Sequence, residues 1–339
     1  MLEKKFIITA DDYGVSPIID DAVHSAAAQG LITSVAVFAN CKNATVKAKR
    51  LKEQFNHISI GIHFTITSGS RISDEAYSLS KQNSKKNKAF RSVVTQHPDK
   101  AIDNHLEIEL QAQIDEFEKA GLDIEFFSDH HGILSNTYVG LDAMLKVIKA
   151  YNQKKLKINS DFIPAKLRNP LFVSQVVGKN NCLNWSNMYS AAKVGTLAKN
   201  IFRKKTLSKI SFNVDTIKAF LKIIYLEGID TPDYFVEHFY NNANIQTLKC
   251  ISESVPEKPN EIRIHIVSKV IAYEIVVHLA IVPDNQEQNR SFIDAKKKMN
   301  EHGGVCDNYS LEKRNEELIA LEKHLFKYLP KSKLCSYNF

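Results

Sequence analysis

A chain of 339 residues that is 44% hydrophobic and 24% charged is long enough to bury a sizeable core, and no apolar run in it approaches the length of a membrane span. Its net charge of +7 comes from short clusters at 47–50, 85–88, 203–205 and 296–298 that lack aromatic interleaving or a nucleic-acid motif. They read as solvated faces, and no nucleic-acid partner is expected. Five dispersed cysteines with no CxxC pair argue against a thiolate metal site and fit reduced thiols.

The first predicted element is the strand "FIITA", Phe6 to Ala10. Basic residues precede it, but the apolar run is too short for a signal peptide and two aspartates follow, so a cytoplasmic protein is expected. A Ser-Pro pair then opens a helix over 16–29 that ends before Gly30. Next come the strand "ITSVAVFA" (32–39), a Lys-rich helix from Ala44 to Phe55, and the strand "HISIGIHFTIT" (57–67). Residues 68–103 form a polar stretch whose length suits a functional lid or rim. Leu106, Leu110, Ile114 and Phe117 recur at helical spacing in 104–120, and Gly121 closes that helix. The strand "IEFFSDHHGI" (124–133), a helix over 141–151 and the strand "YEIVVHLAIV" (273–282) complete the clear elements.

Strands alternating with helices, with no repeat, linker or composition shift, predict one α/β domain over 1–339. Its strands are mostly parallel, in a sheet either open or closed into a barrel. In both forms chemistry gathers at the C-terminal strand ends. Asp11 and Asp12 stand at one such end, His63 near another, and Ser128, Asp129, His130 and His131 at a third. In 58–65 the isoleucines and Phe64 alternate with Ser59, Gly61, His63 and Thr65, so one face is bulky and the other small and polar. One carboxylate and two imidazoles from three strand ends form the ligand set of an open divalent-metal site. The second aspartate then has a use, since a metal lowers the pKa of bound water far enough for a carboxylate to act as base. The competing reading makes the pair a cap of the following turn. His278 lies in an apolar run with Glu274 and Val276 on its face; it is either a satisfied core residue or a general acid.

Taken together these segments resemble the YdjC-like carbohydrate deacetylases, the family that includes a chitooligosaccharide deacetylase. "TADDYGVS" is similar to that family's opening block, "GIHFTITSGSRIS" to its second, "ELQAQIDEF" to the helix before its third, and "FSDHHGI" to the third itself. "AKLRNP", "GIDTPDYF", "EIVVHL", "YSLEKRNEELIAL" and "LCSYNF" follow in the family's order. The resemblance implies a distorted TIM-like (βα) barrel holding one divalent metal ion, Mg²⁺ or Zn²⁺. It implies Asp12, His63 and His130 as ligands, Asp11 as catalytic base, His278 as acid partner, and Arg168 and Tyr13 as substrate contacts. The implied substrate is an N-acetylated amino sugar or short chito-oligosaccharide that loses acetate, and a homodimer is allowed. Three features depart from the family pattern. His131 directly follows His130, with Gly132 where the family has its second histidine, which leaves His130 and His131 as alternative ligands. Leu279 replaces a proline, and 171–215 and 260–272 read as insertions. Rival functions are another metal-dependent amide or phosphoester hydrolysis, or a degenerate sugar-binding protein.

Overall fold

The computed structural model describes residues 3–66, 68, 69, 71–73, 102–130, 134, 138–168, 173–177, 182–184, 229–232, 234–236, 244–254, 270–281, 290, 293 and 311–337. Alternation of strand and helix holds through the first half: β1 (Glu3–Tyr13), α1 (Pro17–Ala28), β2 (Ser34–Val37), α2 (Ala44–Gln54), β3 (Ser59–Phe64), α3 (Ile102–Ala120), β4 (Phe126–Asp129), α4 (Tyr138–Ile158) and β5 (Lys166–Leu167). After these come β6 (Val173–Val177), β7 (Cys182–Asn184), β8 (Tyr234–Val236), α5 (Ile245–Ser254), β9 (Val270–Val277), α6 (Leu311–Tyr328) and a 3₁₀ turn at Lys331–Lys333.

These strands form one sheet in the order β5-β4-β3-β2-β1-β9-β8-β6-β7. Every pairing from β5 to β6 is parallel, and β7 joins β6 antiparallel. The sheet curls. Leu167 N, on the β5 edge, donates to Asp230 O at 2.9 Å in the segment leading to β8. Arg168, just past β5, reaches Asp11 on β1 although three strands separate the two in sheet order. The result is an α/β fold of the expected type, a distorted and incomplete parallel barrel.

A side-chain period of two sorts residues between its two surfaces. Phe6, Ile8, Val35, Val37, Ile60, Ile62, Phe64, Phe127, Ile275 and Val277 belong to the large core under the helices. Full burial of each such side chain contributes about 1.5–3 kcal/mol. The alternate residues line the concave side, where Ile7, Ala36, Phe126 and Tyr337 form a small second core. Above it Thr9 and Ser34 join their hydroxyls at 2.7 Å. Gly61 faces Phe126 across the β3–β4 pair. A Cβ there would lie 2.5 Å from that ring, so the glycine makes room for an aromatic side chain on the small face.

Helix α1 starts as expected, with Ser16 Oγ accepting from Ile19 N at 3.5 Å and Pro17 in the first turn. Leu106, Leu110, Ile114 and Phe117 are all buried on α3. Helix α4 runs past its predicted end at 151. Its polar last turns carry no apolar period, and are held by Lys154 on Glu118 and Lys155 on Asp123 instead. At the start of the expected lid, Ile72 N, Ser73 N and Ser73 Oγ donate to the buried Glu109 carboxylate on α3. Residues 74–101, most of 171–215, 260–269 and the His131–Gly132 pair lie outside the described residues. Among the described residues no helix is long and apolar enough to cross a membrane.

Candidate metal centre

The adjacent aspartates do not lie past the end of β1, as the apolar run suggested; the strand continues through them to Tyr13. Ala10 pairs with Val35 but Tyr13 with Val37, so β1 carries one extra residue at this point. That is a bulge, and Asp12 has a φ of +67°, a left-handed conformation that aspartate enters more readily than most residues. The bulge solves the alternation problem. Two neighbouring carboxylates, each buried, turn to the same side of the sheet.

His63, near the end of β3, meets them from the next strand but one. Its Nε2 lies 3.6 Å from Asp11 Oδ2 and 3.7 Å from Asp12 Oδ1. Its Nδ1 is 2.8 Å from Ser128 Oγ, and that hydroxyl donates its single proton to Ile62 O at 3.3 Å. Ser128 therefore accepts from Nδ1–H, which leaves the lone pair of Nε2 aimed at the aspartates. His130, directly after β4, places Nδ1 3.4 Å from Asp12 Oδ1. Phe38 sets its ring edgewise against both imidazoles, with centroids 5.3 Å from His63 and 4.8 Å from His130.

Asp12, His63 and His130 each bring one ligand atom within 4.8 Å of the others, and they are the one such group among the described residues. Donors about 2.1 Å from a tetrahedral ion stand roughly 3.4 Å apart, close to the 3.4 and 3.7 Å found here. Asp12 Oδ1 is buried without a hydrogen-bond donor of ordinary geometry among the described residues. The donor set and its unsatisfied oxygen fit a divalent cation.

Electrostatics prepare these groups for that role. Burial opposes ionisation of Asp11, but the Arg168 guanidinium outweighs it and holds the carboxyl below its usual range. The two pair in bidentate fashion, Nη1 to Oδ2 at 2.8 Å and Nη2 to Oδ1 at 2.7 Å. For Asp12, burial is again the largest single effect and is overcome by Arg314 together with His130 and His278, leaving the carboxyl well below normal. Burial pushes His63 down to about 3 and His278 to about 4. At neutral pH Asp11 and Asp12 are ionised and the His63 and His278 imidazoles neutral, and ionised carboxylate and neutral imidazole are the forms in which such groups ligate.

His278 directly follows β9, which ends at Val277 rather than running to 282. Its backbone N donates to Glu317 Oε2 at 2.7 Å. One turn earlier on α6, Arg314 Nη2 donates to Asp12 Oδ2 at 2.7 Å. Sequence reasoning missed both α6 residues. The available signal was a charged pair, 314 and 317, inside the stripe that also carries Leu318, Leu321 and Leu325, all buried. Phe38 left no signal beyond its apolar run. Arg168 turns inward to Asp11 and Glu274. Tyr13 is buried in the large core with its hydroxyl 3.1 Å from His24 Nε2, a contact that accounts for its polar atom without a substrate.

The sequence matches the YdjC-like protein family over residues 5–329. It is 25% identical over 227 residues to a carbohydrate deacetylase of Halalkalibacterium halodurans, spanning 66% of this chain and 87% of that one. It is 31% identical over 147 residues to a carbohydrate deacetylase of Oceanobacillus iheyensis, spanning 42% and 60%. For a Brevibacillus brevis carbohydrate deacetylase the figures are 27% over 147 residues, spanning 43% and 56%. In the last two alignments the match spans little more than half of the relative's own length. A crystal structure from Enterococcus faecalis, described as a cellobiose-phosphate cleavage protein, superposes with a TM-score of 0.61 at 16% identity. It covers 99% of this chain and 98% of that one, a likeness of fold.

Proposed function

Because the chain belongs to the YdjC-like protein family, we propose that it is a metal-dependent carbohydrate deacetylase that removes the N-acetyl group from an amino sugar or short chito-oligosaccharide. One observation carries this reading: Asp12, His63 and His130 converge in a buried cluster with a second carboxylate, Asp11, 3.6 Å from the His63 ring nitrogen. Three related proteins named carbohydrate deacetylase supply the substrate class.

Asp12, His63 and His130 would hold the ion, and two imidazoles with one carboxylate suit Zn²⁺ by ligand preference, with Mg²⁺ the alternative. Once bound, the ion supplies Lewis-acid polarisation of the acetamide carbonyl and an acidified water. Asp11 takes the proton of the attacking water; both of its oxygens are held in plane by Arg168. The departing amine needs one proton, because an amide nitrogen leaves poorly as an anion. His278, neutral at rest, passes the proton released from water to that nitrogen. Water plus acetamide becomes amine plus acetic acid, with one proton moved and none consumed. Arg314 keeps the outer oxygen of Asp12 occupied, leaving Oδ1 for ligation.

The test uses Asp12→Asn, which tolerates the same backbone but loses the charge, and His63→Ala. Both are expected to weaken Zn²⁺ binding at least 10–100-fold by calorimetry and to abolish acetate release from acetylated amino sugars. Metal-dependent acetate release retained by both variants overturns the assignment. Turnover of phosphoesters but not of acetylated sugars would instead favour the other hydrolase on this scaffold.

A further inference from the structure

Arg168 serves two carboxylates, and only one of them belongs to the cluster. While Nη1 and Nη2 hold Asp11, Nε donates to Glu274 Oε1 at 2.9 Å. A guanidinium gripped only at its two outer nitrogens can still rock about its stem. The third bond, on the inner edge, fixes its plane and with it the plane of the Asp11 carboxylate. Glu274 lies on β9, completely buried, and its Oε2 has no hydrogen-bond partner of ordinary geometry among the described residues.

Beneath this pair, the segment after the 3₁₀ turn crosses the floor of the barrel. Leu334 bridges to Phe6, and Cys335 N donates to Phe6 O at 2.9 Å. Tyr337 N donates to Ser59 Oγ at 3.1 Å. The Tyr337 ring stacks on Phe126 with centroids 4.0 Å apart and planes 4° apart, the Phe126 ring itself filling the space that Gly61 leaves open. The Tyr337 hydroxyl is likewise buried without a partner of ordinary geometry among the described residues. It interacts electrostatically with Glu274. Thr9 interacts with Glu274 as well, and two buried polar atoms that lack partners of ordinary geometry are costly unless they serve each other, directly or through one water.

We propose that Tyr337 is a positioning residue for the reaction: its hydroxyl supports Glu274, Glu274 pins Arg168, and Arg168 orients the Asp11 carboxylate. The proposal rests on the reading of Asp11 as base. It assigns the floor of the barrel a part in chemistry carried out at the opposite ends of the strands.

Tyr337→Phe keeps the stack on Phe126 and removes only the hydroxyl; Glu274→Gln replaces the carboxyl it supports with an amide. In protein carrying nitrogen-15-labelled arginine, without substrate, hydrogen exchange at Arg168 Nε–H is followed by NMR, the signal being identified by its loss in Arg168→Lys. Tyr337→Phe is expected to speed that exchange about tenfold. It should lower kcat for acetate release about five- to tenfold, with KM and the Zn²⁺ Kd within about twofold of the parent. The double variant should be no slower than Glu274→Gln alone, since both act through one chain of contacts. Unchanged Nε–H exchange in Tyr337→Phe overturns the proposal, as do an unchanged kcat and losses that multiply in the double variant. If the parent releases no acetate, the deacetylase reading fails by itself, and the exchange comparison still decides the role of Tyr337.

Discussion

Arg168 and Arg314 each neutralise one member of the Asp11–Asp12 pair, and all four side chains are almost fully buried. Two carboxylates on neighbouring residues would repel each other strongly in that setting, and each guanidinium also stands in for lost solvent. Truncating one partner of such a pair is costly because the other charge stays behind. Arg168→Met, which leaves Asp11 and Glu274 buried without their shared cation, is expected to destabilise the metal-depleted protein by about 3–5 kcal/mol. Urea unfolding measures this, and a loss below about 1 kcal/mol would mean that the carboxylates find solvent or protons easily. His63 depends on a quieter partner. Ser128 sets which ring nitrogen carries the proton, so a serine two residues before a ligand candidate decides whether the lone pair faces the aspartates.

The site is assembled by elements with different tasks. The bulge in β1 turns Asp11 and Asp12 to one side, while β3 carries His63 one residue before its end and β4 runs directly into His130, with His63 opposite Ser128 in the register of the two strands. Helix α6 closes the arrangement from much later in the chain, with Arg314 on Asp12 and Glu317 on the backbone of His278. Gly61 is the strand position on which the inner packing turns, because its missing Cβ admits the Phe126 ring and so the Tyr337 stack. Gly61→Ala puts a methyl group 2.5 Å from ring carbons, and overpacking of this kind typically costs about 1–3 kcal/mol. Chemical denaturation is expected to show that loss with an unchanged denaturant slope. A neutral Gly61→Ala would mean that Phe126 can repack freely.

At the scale of the whole molecule, four buried titratable groups make the metal-depleted protein sensitive to acid, against an opposite contribution from Glu274, whose carboxyl burial pushes up. His63 and His278 titrate near 3 and 4 in the folded state and near 6.5 when unfolded. Between those values the unfolded chain binds protons that the folded one excludes, so stability falls as pH falls. The two histidine contributions are complete above about pH 6.5 and are lost going down toward 4 and 3, at up to about 1.4 kcal/mol per pH unit for each. Asp11 and Asp12, both held below the usual carboxylate range, extend the loss below about pH 4 in the same direction. Urea unfolding of stripped protein at pH 7, 5.5 and 4.5 should show a progressive fall, and a flat profile would contradict neutral buried imidazoles. A bound divalent ion should raise stability at neutral pH, by about 2.7 kcal/mol at a hundredfold excess over its Kd.

Periodicity along the chain was sufficient for the βα alternation, for α1 with its Ser16 start, and for the small polar face of β3. Each depends on residues within one or two turns of one another. The motif residues were legible too, because Asp, His and Gly stand out against apolar strands. Tertiary structure alone decided how two adjacent aspartates share a side, since that needed a one-residue slip against β2. It also decided that Arg168 looks inward, that Tyr13 turns to His24, that Arg314, Glu317 and Phe38 stand around the cluster, and that Tyr337 packs on Phe126 beneath it. Sequence spacing carries only local geometry, whereas these contacts join residues up to 302 positions apart, as in Asp12 with Arg314. Their partners are chosen by the curl of the sheet and by the need to pair every buried charge.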